Sequence, residues 1–293
     1  MLSKKRIISN NNHVGSKDSS RAHGLLQEAV RPTVRPDSIQ GCDDAGHFYA
    51  NHAELEATQQ ANKDVWYATN DAYWRDGGCG GVTDDEAMVG DTGGIEDGEE
   101  GLDFLDRFLA EQQRQCSGLK TRLAIDAGAG VGRITKYVLL KRFDSVLLIE
   151  ADPGWSKQSR KYLGRKRSEK CTFECKRLEK LSTTYVETQA DLVWIQWTLQ
   201  YLTDQDAVQI LKNLAARLVQ NTGVLVVKEN RPYGGARHDR FQMDTPEYSG
   251  RYDITRTDNH HRLLFQRAGL WVDRAEEGVE TNTYALRCGH SRG

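Results

Sequence analysis

Leu123-Ala-Ile-Asp-Ala-Gly-Ala-Gly-Val-Gly-Arg133 is the stretch that decides the fold. Its apolar first half reads as a strand, and the residues from about Ile134 onward read as a helix. Glycines between the two let the backbone approach a ligand without Cβ interference, and the helix start leaves N–H groups free to point at it. A dinucleotide fingerprint is spaced Gly-x-Gly-x-x-Gly. Here Gly128, Gly130 and Gly132 alternate instead, and Arg133 follows at once. Asp126 stands two residues before the first glycine, where a carboxylate attracts a cationic group. This pattern suits the sulfonium and amino group of S-adenosylmethionine better than a pyrophosphate.

Downstream, strand and helix signals alternate. A helix from about Ile134 to Phe143 leads to a strand, Val146 to Glu150, and then to a helix through Trp155 to Leu163. A short strand covers Cys171 to Cys175, and a stronger one Leu192 to Trp197. Thr203 is placed to cap a helix in which Val208, Leu211, Leu214, Ala215 and Leu218 recur at helical spacing. Val224 to Val227 is a strand. A helix from Asn259 to Ala268 stops at Gly269 as a left-handed terminator would stop it. Apolar strands around Leu270–Val272 and Thr283–Leu286 are too close together for a crossover helix and are expected to form a hairpin-like edge. The sum is an α/β, Rossmann-like class I methyltransferase pattern: a seven-stranded, mostly parallel sheet with an antiparallel terminal strand and an N-terminal helical extension.

Upstream, residues 1–46 are polar and without sustained hydrophobic period, which predicts a disordered tail. Residues 47–117 read as a helical extension with an aromatic face of Phe48, Trp66, Tyr67, Tyr73 and Trp74, and with an acidic, glycine-rich loop between Gly77 and Gly101. Leu102 to Glu111 is an amphipathic helix, and residues 118–288 form the catalytic-type domain. The formal charge of −2 implies neither a nucleic-acid nor a membrane partner. The six cysteines lack a Cys-x-x-Cys pair or zinc-like spacing to histidine, so no metal is expected and the thiols read as reduced. No apolar run approaches the ~20 residues of a membrane span. A cytoplasmic monomer is expected, with a nuclear address if Lys4-Lys5-Arg6 serves as an import signal.

Ligands of open α/β sheets lie outside the carboxyl ends of the strands, so each strand end is a site candidate. The first contributes Asp126 and the glycines. The second ends in Glu150, near the ~20-residue separation at which an acid binds ribose hydroxyls, with Asp152 as fallback. Leu178 and Glu179 are placed to flank an adenine. Gln196 and Trp197 face the region where methyl donor and acceptor meet, and Asn230 puts an amide near the acceptor. Trp194 is expected in the core; Trp197 leaves it only if the strand bends or ends between them.

These residues also carry a family likeness. AIDAGAGVGRIT, WIQW, YLTDQ and VKEN, with Tyr73-Trp74 and a C-terminal YALR, resemble the α-N-terminal protein methyltransferases from about Trp66 to Arg287. The resemblance implies methylation of the free α-amine of proteins beginning X-Pro-Lys. It implies cofactor contacts from Gly128, Arg133, Glu150, Leu178, Glu179 and Gln196. It further implies packing of Trp197 on the second, usually proline, residue of the peptide, a hydrogen bond from Asn230 to its first residue, an aromatic Trp74 near the donor, and a closing loop at Met88-Val89-Gly90.

Departures cluster on the acceptor side. Tyr201 stands where the family has histidine, and an insertion from Phe241 to Arg256 retains only a recognisable Ile254-Thr255-Arg256. The loop before the last strand shortens to Gly278–Asn282. The catalytic aspartate is Asp244 or Asp253, the latter slightly preferred as nearest the matched string, and Tyr201 is a candidate hydrogen-bond partner. An intact cofactor side with a remodelled acceptor side slightly favours a small ribosomally derived peptide, as in the fungal N-methyltransferases of ustiloxin- and phomopsin-type pathways, over a protein N-terminus. A non-catalytic S-adenosylmethionine-binding regulator is the third reading.

Overall fold

Side chains alternate across a strand, so Ile125, Val193, Ile195 and Val227 face one side of the central sheet while Ala124, Leu192, Trp194 and Val226 face the other. Both sets are buried, as a largely parallel sheet covered on two faces requires. The computed structural model describes residues 33–78, 94–181, 189–233, 239–278 and 280–289. In chain order these form β1 (Gly41–Asp43), β2 (Phe48–Tyr49), α1 (His52–Ala61), α2 (Lys63–Arg75), α3 (Gly94–Arg114), β3 (Leu123–Ala127), α4 (Arg133–Tyr137), β4 (Ser145–Glu150) and α5 (Pro153–Ser168). There follow β5 (Cys171–Cys175), β6 (Leu192–Gln196), α6 (Asp204–Ala215), β7 (Val224–Asn230), β8 (Phe241–Asp244), α7 (Pro246–Ser249), β9 (Asp253–Thr255), α8 (Asp258–Arg267), β10 (Leu270–Glu277) and β11 (Thr281–Cys288).

The seven-stranded sheet runs β10-β11-β7-β6-β3-β4-β5. The strands β3 to β7 pair in parallel, and β11 pairs antiparallel with both β7 and β10. The chain leaves β3 toward β4 and later returns to its other side as β6, so the switch point opens beside the end of β3. On one face α6 and α8 pack through Leu211, Leu214 and Phe265. On the other, α3 packs Phe104 and Phe108 beside Trp194. Thr203 accepts from Asp206 N to cap α6, and Gly269 (φ +72°) ends α8. No helix among the described residues is long and apolar enough to cross a membrane.

Four expectations change. The helix expected over 134–143 ends at Tyr137 and gives way to a 3₁₀ turn, Leu139–Lys141. The acidic segment is not loop throughout: Gly94–Gly101 are the first turns of α3, while 79–93 lie outside the described residues. The last two strands are longer than expected, and only β10 is at the edge. Finally, the tail is not disordered through residue 46. Residues 36–46 hold a 3₁₀ turn and β1, and β1 joins β2, β8 and β9 in a second sheet of order β2-β1-β8-β9.

That second sheet was not foreseen, because its strands are two to four residues long and separated by most of the chain. It has its own core of Ile39, Tyr49, Leu55, Trp66, Phe241, Met243, Ile254 and Leu263. Gly41 abuts Phe241 so closely that a Cβ would sit 2.3 Å from the Phe241 ring, so this crossing requires glycine. Asp204 at the start of α6 ties it to the main domain. One carboxylate oxygen accepts from His52 Nε2 (2.7 Å) and His260 Nε2 (2.6 Å), and the other from the Arg256 guanidinium (2.6 and 3.0 Å). All four residues are buried. Burial opposes the Asp204 charge, and His260 and Arg256 outweigh it, holding its carboxyl well below the usual range. His52, Asp204 and His260 converge as metal ligands would. With Arg256 already on the carboxylate, the cluster is a hydrogen-bonded hub built around a resident cation.

Candidate functional site

A cavity of about 430 Å³ opens at the carboxyl ends of β3, β4, β6 and β7. It gathers Asp126, Gly128, Gly130, Arg133, Glu150, Leu178, Glu179 and Gln196 at one end, and Trp74, Trp197, Tyr201, Asn230, Asp244 and Asp253 at the other. Two candidates are absent. Gly132 packs α4 onto the sheet, where a Cβ would meet Leu148 at 3.1 Å. Val89 lies outside the described residues, as do Met88 and Gly90.

At the first end the turn is held from below. Gly128 N and Ala129 N donate to Ile149 O at 2.9 and 3.1 Å. Glu150 accepts from Gly130 N (2.8 Å) through one oxygen and from Asp152 N (2.8 Å) through the other. Burial raises the Glu150 carboxyl, and these backbone donors oppose the rise. Gly128 has φ +74°, and a Cβ there would lie 2.4 Å from Thr198 Oγ1, so the turn leaves a cradle only glycine keeps open.

Asp126 lines the cavity and also fastens the start of α4: its Oδ2 accepts from Thr135 N (3.0 Å) and Thr135 Oγ1 (2.6 Å). Burial pushes it up to about 6, against the pull of the Thr135 donors.

Arg133 and Gln196 are tied by a residue that sequence reading missed. Asp97 in the first turn of α3 accepts from Gln196 Nε2 (2.9 Å) and Lys228 Nζ (2.8 Å), and also pairs with Arg133. Burial opposes its charge, and Arg133 and Lys228 outweigh that, lowering its carboxyl below the usual value. An acid in a glycine-rich run gives no periodic signal, which is why Asp97 read as loop. Arg177 was missed too; it pairs with Asp71 and Glu179, fixing α2 over the Leu178–Lys180 turn.

The strand does end between the two tryptophans. Trp194 is fully buried, whereas Trp197 follows the last residue of β6 with φ +50° and lines the cavity. The Arg133 guanidinium lies 4.9 Å from the Trp197 ring centroid. Trp197 Nε1 is buried without a hydrogen-bond partner among the described residues.

At the acceptor end, the Trp74 and Tyr201 rings meet edge to face at 5.2 Å, and Asn230 Nδ2 donates to Gln200 Oε1 at 3.1 Å. Asp244 and Asp253 face each other across β8 and β9 in direct register. Burial pushes Asp253 up to about 6 against the opposing charge of Arg251, and burial also raises Asp244. Below them, Glu229 is buried, accepts from Thr198 N (2.9 Å) and Leu199 N (2.8 Å), and is pushed up to about 7 by burial.

The residues present fit an S-adenosylmethionine-sized group. The Gly128 turn, Trp197 and the run of polar groups from Glu150 to Gln196 all border one continuous space.

Comparison with known proteins agrees. Residues 62–287 match the family model described as AdoMet dependent proline di-methyltransferase. The chain is 30% identical over 242 residues to alpha N-terminal protein methyltransferase 1 of Arabidopsis thaliana, covering 80% of this chain and 82% of that one. It is 33% identical over 167 residues to N-terminal Xaa-Pro-Lys N-methyltransferase 1 of Xenopus tropicalis, covering 57% and 68%. A solved SAM-dependent methyltransferase of Leishmania major superposes with a TM-score of 0.67 at 27% identity, covering 85% of this chain and 96% of that one. With the family match spanning most of the chain and the glycine turn opening on a cavity of suitable chemistry, the protein belongs to the AdoMet-dependent proline di-methyltransferase family and is an S-adenosylmethionine-dependent methyltransferase.

Proposed function

We propose that this enzyme methylates the free α-amine of a protein N-terminus of the Xaa-Pro-Lys type named in the descriptions of its relatives. The observation that carries the reading is the junction of the two ends of the cavity at Gln196-Trp197, where a cofactor cradle meets an aromatic and carboxylate-lined acceptor end. The slight preference for a small ribosomal peptide gives way here, because the relatives are protein methyltransferases.

S-adenosylmethionine supplies an electrophilic methyl group. Gly128, Gly130, Arg133, Glu150, Leu178, Glu179 and Gln196 are the residues to hold it, through main-chain donors, carboxylate and apolar contacts. The rest of the chemistry belongs to the acceptor end. The flat Trp197 ring suits a proline ring, and the Asn230 amide orients the terminal amine. An α-amine has a pKa of ~7.7 to 8.0, so a useful fraction is neutral near pH 7.5. Asp253, ionised above about 6, is placed to take the remaining proton. Asp244 stands opposite it and shares the Arg251 contact.

The test is mass spectrometry after incubation with S-adenosylmethionine and X-Pro-Lys peptides with free or acetylated N-termini, alongside small cyclic peptides bearing an amine. A gain of about 14 mass units per methyl, confined to the free N-termini, is expected on this mechanism. Gain only on the cyclic peptides would overturn the protein reading in favour of the small-peptide one. Binding of S-adenosylmethionine with no transfer to any amine would leave a regulator.

A further inference from the structure

Asp97, in the first turn of α3, holds three groups at once, and two of them border the cavity. Gln196 Nε2 donates to its carboxylate at 2.9 and 3.1 Å, Lys228 Nζ donates at 2.8 Å, and the Arg133 guanidinium pairs with it through Nη1. Arg133 and Gln196 line the cavity, and Asp97 and Lys228 lie behind that wall. Lys228, fully buried on β7, shares the carboxylate and pins it.

The Gln196 amide is fixed at both ends. Its Oε1 accepts from Trp194 Nε1 at 3.0 Å, and Asp97 takes one N–H, which leaves the second N–H to give. Arg133 spends on Asp97 one corner of a group with five N–H donors, and its guanidinium carbon lies 4.9 Å from the Trp197 ring centroid. S-adenosylmethionine carries its reactive methyl on the sulfur that joins a nucleoside half to an amino-acid half. With the nucleoside at Glu150, Leu178 and Glu179 and the acceptor at Trp197 and Asn230, the amino-acid half falls beside the two donors that adjoin Trp197.

We infer that Asp97 is a positioning residue for the methyl donor: it aims the Arg133 guanidinium and the Gln196 amide, as a pair of donors, at the donor's α-carboxylate. The inference rests on the reading that these residues hold S-adenosylmethionine. A free arginine stem has much rotamer freedom to lose, and a free amide can flip; Asp97 removes both freedoms before the cofactor arrives. Charge alone works the other way. A carboxylate near the seat of another carboxylate repels it, so positioning and bare charge predict opposite signs when Asp97 is neutralised.

The experiment is calorimetric binding of S-adenosylhomocysteine and its decarboxylated counterpart, which keeps the nucleoside, thioether and amine, to the full chain. Wild type should prefer the carboxylate-bearing ligand by about thirtyfold. With Asp97→Asn that preference should shrink to about threefold, while the decarboxylated ligand binds as it does to wild type. Tighter S-adenosylhomocysteine would show Asp97 acting by charge alone, and equal weakening of both ligands would show a structural prop; each overturns the inference, as does an unchanged preference. Should Asp97→Asn fail to fold, Asp97→Leu combined with Lys228→Met removes the buried charges together and carries the same expected loss of preference. Equal binding of the two ligands by wild type overturns the inference with no variant at all. If wild type binds neither, the reading of this cavity as the methyl donor's seat fails, and the inference falls with it.

Discussion

The cofactor end of the cavity is built on the glycine turn and the ends of the neighbouring strands β3, β4 and β6, whereas the acceptor end is drawn from α2, the turn after β6, the end of β7 and the β8–β9 pair. The first tolerates little change in backbone shape and much change elsewhere. The second can be retuned one side chain at a time while the sheet beneath it stays the same. Family membership therefore speaks more strongly for the methyl donor than for the acceptor, and substitutions should separate the two ends.

The largest effect is expected at the hub. Asp204→Ala leaves Arg256 buried without its carboxylate and should cost about 3–5 kcal/mol in denaturant unfolding. Hydrogen exchange should rise first in α1, β8 and β9, with β3 to β7 still protected; uniform loss would show that the two ends are not separable units. Gly128→Val adds a clash with Thr198 and strain at positive φ, together worth about 4 kcal/mol, or roughly a thousandfold in S-adenosylmethionine affinity by calorimetry. Exchange in the second sheet should stay as in wild type.

Asn230→Ala should reverse that outcome, retaining cofactor affinity while methyl transfer falls about a hundredfold in single-turnover assays. Normal turnover would remove Asn230 from the acceptor end. A smaller effect belongs to Glu229. Its carboxyl titrates at about 7 in the folded chain against an ordinary 4.5, so the native state holds an extra proton between those values and stability falls as pH rises through the window. Glu229→Gln should thus raise unfolding free energy by about 3 kcal/mol at pH 8 and leave it unchanged at pH 4. The smallest is kinetic. Below pH 7 wild-type kcat/KM should fall about tenfold per pH unit as the amine protonates, and more steeply below about 6 as Asp253 takes a proton. Asp253→Asn should lower the plateau about tenfold and lose only the steeper limb.

Legibility in the sequence followed the same division. Strand Leu123–Ala127, the glycine turn and the capped helix at Thr203 are local patterns, in which neighbouring residues share one structural reason. The end of β6 at Gln196 could be posed as a question from Trp194 and Trp197 but was decided by a backbone turn that no periodicity marks. Asp97 was hidden because glycines around it masked a helix start that α3 stabilises by packing Phe104 and Phe108. Arg251 and the His52–Asp204–His260 hub depend on side chains that meet only after distant segments have folded, and His52 lies before the residues matched by the family model.

Gly41 stands beside Phe241 in the β1–β8 pairing, so these partners are separated by most of the chain. Closing so long a loop is entropically dearer and slower than pairing β3 with β4. A chain leaving the ribosome carries β1 first but must wait for β8 before that strand has its neighbour. Order of synthesis thus becomes order of competence: the grip on the methyl donor can form early, and selection of the acceptor is completed only when the two ends of the polypeptide have found each other.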